Sequence, residues 1–173
     1  MEGLKIIVEK ISQYNFLTNI LPGTLLCVLL KYIVEIDIIP ENKFHASIFF
    51  YFVGLVNGRF GALVVEPFLK KVKWINFVSY RKFVFAESKD SKISILSQEN
   101  NVYRSYLSVI CLVAITFVFQ RYIVTSSLSV GKYTIEVLLI SFLLLFSLAY
   151  RRQTSYVRKR VESVCEREGF LES

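Results

Sequence analysis

Along this chain the apolar positions gather in four long blocks rather than in short periodic runs. The blocks cover residues 16–34 (FLTNILPGTLLCVLLKYIV), 44–65 (FHASIFFYFVGLVNGRFGALVV), 106–124 (YLSVICLVAITFVFQRYIV) and 133–150 (YTIEVLLISFLLLFSLAY). Each holds about 18–22 residues, the length at which a helix crosses roughly 30 Å of hydrocarbon. The pattern predicts an all-α integral membrane protein with four transmembrane helices. Shorter, amphipathic stretches flank them. Residues 1–15 place Leu4, Ile7, Val8 and Ile11 at helical spacing with charges between, as a helix lying on a membrane surface would. The tail TSYVRKRVESVCEREGF puts Val157, Val161, Val164 and Cys165 on one face and its charges on the others, predicting a short amphipathic helix that continues from the fourth span. The resulting division is 1–15, 16–66 with spans one and two, 67–105, 106–150 with spans three and four, and 151–173.

Composition agrees with the blocks. Apolar residues make up 54% of the 173 positions and the mean hydropathy is +0.48, too apolar for a soluble domain of this size to cover its surface. The N-terminus lacks the architecture of a cleaved signal, so the first block reads as a retained span. Charge orients the spans. Lys70, Lys71, Lys73, Arg81, Lys82, Lys89, Lys92 and Arg104 lie between spans two and three, and Arg151, Arg152, Arg158, Lys159, Arg160 and Arg167 follow span four. The opposite loops hold Lys43 and Lys132, with Arg121 near the edge. Such an excess predicts both termini and the middle segment in the cytoplasm, and with them an inner-membrane, multi-pass protein. Cys27 and Cys111 fall inside spans and Cys165 in the tail, so no disulfide framework is expected.

Enzyme chemistry is poorly provided for. The lone histidine, His45, has no convincing partner, and no HExxH, GxSxG, paired CxxC, phosphate loop or dinucleotide fingerprint occurs. No catalytic residue, metal site or cofactor is expected. The middle segment is richer. KKVKWINFVSYRKFVF interleaves bases with Trp74, Phe77, Tyr80, Phe83 and Phe85. Rings between cations suit anchoring at headgroup depth. They also suit single-stranded nucleic acid, with Lys70, Lys71, Lys73, Arg81 and Lys82 tracking phosphates and Trp74 and Tyr80 stacking on bases.

Span two contains an arginine. A charge in hydrocarbon costs about 2.5–3.5 kcal/mol on insertion scales, so Arg59 is expected to face protein or water. Arg59 and Glu66, seven residues apart, share a helix face, while Asn57 points elsewhere. Gly54, Gly58 and Gly61 surround them, and the Gly54–Gly58 pair forms a GxxxG that lets helices approach closely. Pro22-Gly23 predicts a bent or interrupted entry to span one.

The runs YNFLTNILPG, GLVNGRFGALVVEPFLKKVKWINFVSYRKF and ILSQENNVYRSYLS resemble a family of small bacterial four-span proteins found beside defence genes, the Hailong-type anti-phage channel effectors. The resemblance implies an oligomeric, aromatic-lined inner-membrane channel that depolarises the cell in abortive infection. It also implies opening by a single-stranded DNA oligomer, made by a nucleotidyltransferase encoded alongside. It assigns no individual residue.

Four short spans enclose too little interior for a water-filled path, so conduction would require a homo-oligomer, a tetramer or larger. Candidate pore or gate residues are Asn57 and Arg59 with the span-four stripe Phe142, Phe146 and Tyr150, which recurs every four residues. A rival stripe in span two holds Phe49, Phe52 and Phe60. Either could close a pore by expelling water, or could simply pack against helices or lipid. A membrane scaffold binding a cytoplasmic partner and a lipid-processing enzyme are the competing functions.

Overall fold

The structure, a computed structural model, describes residues 13–121 and 133–170. The amphipathic helix expected over residues 1–15 and the loop expected around 125–132 lie almost wholly outside the described residues. The described residues form five helices: α1 (Gln13–Ile33), α2 (Lys43–Lys71), α3 (Tyr80–Lys89), α4 (Lys92–Phe119) and α5 (Tyr133–Arg167). No strand occurs among the described residues. Helices α1, α2 and α4 are each long and apolar enough to cross a membrane.

Both proline-bearing helices accommodate their proline in the same way. In α1 the five residues Phe16–Ile20 are wound as a π-helix, and Pro22 follows two residues later; in α2 the π-helical stretch is Gly61–Val65, followed by Pro67. Proline cannot donate to the carbonyl four residues back, and its ring crowds that oxygen. Widening the preceding turn moves the oxygen aside without ending the helix. The interruption expected at Pro22-Gly23 is therefore a local widening inside a continuous helix. Asn42 starts α2: its side-chain oxygen accepts from the backbone N–H groups of Phe44 and His45 at 2.9 and 3.3 Å.

Helices α1 and α2 cross backbone to backbone. A Cβ added to Gly23 would lie 1.9 Å from the Phe50 carbonyl oxygen, and one added to Gly54 would lie 1.9 Å from that of Asn19. Only two facing glycines permit such an approach. The main core then joins Leu26 of α1 and Val34 just past its end, Val109, Ile110, Val113 and Phe117 of α4, and Leu139 of α5.

Helices α4 and α5 hold 28 and 35 residues, about 42 and 52 Å at 1.5 Å per residue, so both outreach the roughly 30 Å of a bilayer's hydrocarbon. Their surplus length lies at one end, where α3 packs against them. Ala86 of α3, Ile93 of α4 and Val157, Val161, Val164 and Cys165 of α5 form a separate apolar core there, which we call the head. The boundaries expected at 105/106 and 150/151 fall inside unbroken helices. The switch from polar to apolar residues at those points marks a change of surroundings, and backbone hydrogen bonding runs straight through it.

Candidate ligand pocket and charge cluster

At the junction between head and spans, α2 ends in a tight reversal. Trp74 N–H donates to Leu69 O at 2.9 Å and Lys73 N–H to Lys70 O at 3.0 Å, with Lys73 in the left-handed region at φ 55°. This is a Schellman termination built on lysine where glycine is usual. It turns the chain back so that Ile75 is buried and Trp74 reaches α5, donating its indole N–H to Ser147 O at 3.2 Å beneath the Arg151 guanidinium.

One turn earlier sits Glu66, whose carboxylate links three helices. Oε2 accepts from Arg104 Nη1 of α4 at 2.7 Å and from the Tyr150 hydroxyl of α5 at 3.2 Å; Oε1 accepts from Lys70 Nζ at 2.7 Å. Glu66 and Arg104 are mostly buried, with 16% and 21% of their side chains exposed. Paired charges at that depth hold strongly, because removing one leaves the other desolvated. The polar line continues toward the middle of α2, where the Asn57 Nδ2 donates to Ser105 O at 3.0 Å and the Ser108 hydroxyl donates to Asn57 O at 2.9 Å. In the other direction, Thr154 Oγ1 approaches Tyr150 O and Asn100 Oδ1 at 2.8 and 2.9 Å, and Gln153 Nε2 donates to Glu99 Oε2 at 3.0 Å.

Beside this line, on the head side, opens a pocket of about 250 Å³. Lys70 and Arg158 supply cations, Phe77, Tyr80 and Phe83 supply rings, and Ser97, Asn100 and Thr154 supply polar groups. Lys70 therefore belongs to both the pocket and the Glu66 cluster, and its ammonium also lies 4.3 Å from the Phe77 ring centroid.

Of the nucleic-acid contacts expected from sequence, the pocket gathers Lys70 and Tyr80, the latter 81% exposed. Lys71, Lys73 and Arg81 are exposed but stand outside its lining, Lys82 is half-buried, and Trp74 is turned toward α5. The expected gate stripe divides. Phe142 is exposed, Phe146 stacks on Tyr106 at 5.7 Å, and Tyr150 is fully enclosed within the protomer. Asn57 is likewise fully buried, whereas Arg59 is exposed and makes no hydrogen bond or ion pair among the described residues. Glu66, expected on the same helical face as Arg59, is turned away from it by the π-helical stretch Gly61–Val65 and finds its partners in Arg104, Lys70 and Tyr150. Among the packing glycines, Gly54 meets α1, a Cβ added to Gly61 would lie 3.2 Å from Ser108 Cβ of α4, and Gly58 faces open space.

Asn100 and Thr154 were not named from the sequence; Phe83 entered only as one of the rings of the middle segment, and Arg104 and Arg158 only among the charges that orient the spans. A signal was present for two of them: Asn100, Arg104 and Ser108 recur every four residues, a polar stripe entering an apolar helix. Compared with known protein families, curated proteins and solved structures, the chain shows no match.

Proposed function

We propose that this protein is an oligomeric, ligand-gated ion channel of the bacterial inner membrane. In this reading the apolar first half of α5 is a fourth span, both termini and the head are cytoplasmic, and a single-stranded nucleic acid bound at the head opens the pore. Arg59 carries the proposal. It projects from a 29-residue apolar helix among exposed Phe52, Leu55, Val56 and Leu63, and among the described residues it makes no hydrogen bond or ion pair. Against lipid it would cost about 2.5–3.5 kcal/mol. Covered by a second copy, or lining water between copies, it would not. The same face of α2 then brings Phe52 into the path as a ring that can close it, and Phe142, 39% exposed, is the most accessible member of the α5 stripe.

The sequence resemblance supports the wider role, a membrane-depolarising effector of anti-phage defence whose signal comes from a partner nucleotidyltransferase. The cationic, ring-bearing head supports a polyanionic ligand. The deciding experiment is ion flux from liposomes holding purified protein, with and without a short oligonucleotide. Ligand-dependent flux that Arg59→Ala abolishes or leaves permanently open is expected. Oligomers that bind oligonucleotide yet never conduct would make the protein a scaffold.

A further inference from the structure

We propose that the head pocket takes one phosphate-bearing aromatic unit, a nucleotide, and that its phosphate competes with Glu66 for Lys70. The competition stands on the geometry alone; its consequence for opening rests on the channel reading.

The lining decides the chemistry. It carries two cations, Lys70 paired with Glu66 at 2.7 Å and Arg158 with Glu162 at 2.9 Å, while no carboxylate lines the cavity itself, so an anion entering it can draw on both. It carries three rings, which select a planar partner that can stack. Asn100 is 5% exposed and has one end of its amide engaged with Thr154, leaving the other end for an edge of the ring. At about 250 Å³ the pocket falls below the roughly 300–1,000 Å³ of drug-sized sites, room for a single unit rather than a folded oligomer. A lipid headgroup would satisfy the cations and leave the rings idle.

The competition follows from Lys70. Its ammonium is a compact charge on a flexible four-carbon stem, free to swing between acceptors. Now it lies 2.7 Å from Glu66 Oε1 and 4.3 Å from the centroid of Phe77, a ring of the pocket wall. A phosphate in the pocket offers more negative charge than one carboxylate oxygen. When Lys70 turns to it, Glu66 keeps Arg104 and Tyr150 but loses the partner that fixed its other oxygen. Glu66 directly follows the π-helical stretch Gly61–Val65, where the hydrogen-bond register of α2 is already altered. Occupancy of the head is thereby felt at the point where α2, α4 and α5 are tied together.

The test uses the full chain in detergent or nanodiscs. Trp74 is the only tryptophan and ends the same reversal as Lys70, so its emission reports the site. Four probes are titrated: inorganic phosphate, thymidine, thymidine monophosphate and a short thymidine oligonucleotide. The monophosphate should bind more tightly than phosphate or thymidine, and comparison with the oligonucleotide tells a free nucleotide from a chain end. Glu66→Gln should tighten monophosphate binding roughly two- to fivefold, the worth of a partly exposed ion pair. In a Lys70→Met background the same change should have no effect. An equal gain in both backgrounds would reveal only a long-range field and overturn the competition. Arg158→Gln lies outside the Glu66 cluster; it should weaken the monophosphate and spare thymidine, and unchanged binding there would remove the pocket. Displacement of the monophosphate by anionic vesicles and not by oligonucleotide would make the site one for lipid. A chain that shows the Lys70–Glu66 coupling but never conducts loses the channel and keeps the site. One that conducts on ligand without the coupling keeps the channel and loses the competition.

Discussion

Replacing Gly54 by alanine tests the packing at its tightest point. The new Cβ would fall 1.9 Å from Asn19 O and 2.8 Å from Asn19 Cα, and real Cβ contacts essentially never come below 3.0 Å. Both atoms belong to the backbone of α1, so no rotamer change relieves the clash. The helices must part by about 1.1 Å, and the neighbouring Gly23 contact with Phe50 O opens with them. Overpacking of this kind costs about 1–3 kcal/mol, and contact with rigid backbone argues for the upper end. Alanine's better helix propensity returns at most about 1 kcal/mol. A net loss near 2 kcal/mol corresponds roughly to a 4–8 °C fall in melting temperature for a chain of this length. Gly58→Ala is the control: nothing lies within 4 Å of its Cβ, so it should be neutral or slightly stabilising in the protomer. Thermal unfolding of both variants in one detergent, followed by circular dichroism, reads the difference. If Gly54→Ala melts with the parent, the α1–α2 crossing is not as described. If Gly58→Ala instead breaks up oligomers without lowering the melting temperature, the open face of α2 is a contact between copies.

Arg104→Met should destabilise by about 1–3 kcal/mol, since Glu66 loses its buried guanidinium partner and keeps only Lys70 and Tyr150, while Arg104→Met with Glu66→Gln should recover much of that loss in the same melting assay. Lys73→Gly should raise stability by about 0.4–1 kcal/mol by relieving the left-handed lysine at the end of α2; no gain would mean that the reversal tolerates the side chain. Arg160, bonded to Asp90 at 2.6 Å, holds that carboxyl below its ordinary 3.8. A carboxyl shifted downward stabilises the fold above its ordinary range and loses that contribution as the pH falls through it, so Arg160→Gln should flatten the acid limb of head unfolding followed by hydrogen exchange. Reporter fusions near Ser88 and at Ser173 should report cytoplasm and one near Ser127 the far side; an external signal at Ser88 would invert the proposed topology.

The helical class and the membrane-length helices were legible in the residues alone, because block length and apolar content are properties of a segment and need no neighbours. The apolar face of the tail was legible for the same reason: Val157, Val161 and Val164 sit at helical spacing wherever the helix packs. Faces, however, do not name partners. The sequence places Glu66 on the same side of α2 as Arg59. Its partner is Arg104, 38 residues away, because the π-helical stretch Gly61–Val65 lies between the two and shifts the register of α2, turning Glu66 inward and leaving Arg59 outside. Glycine spacing alone pairs Gly54 with Gly58, whereas the close approach joins Gly54 to the region of Gly23 on another helix. The stripe Phe142, Phe146, Tyr150 is uniform as a pattern and graded in space, from Phe142 at 39% exposure to Tyr150, which is enclosed by Val65 and Leu69 of α2 and Leu107 of α4. The head pocket was the least legible feature: its lining comes from α2, α3, α4, α5 and the reversal after Lys71, and only their packing sets Lys70 between an acidic cluster and an open site. Local periodicity determines which helices form and which sides are greasy, while the order and rotation of the helices, settled by close glycine contacts and paired charges, decide which residues meet.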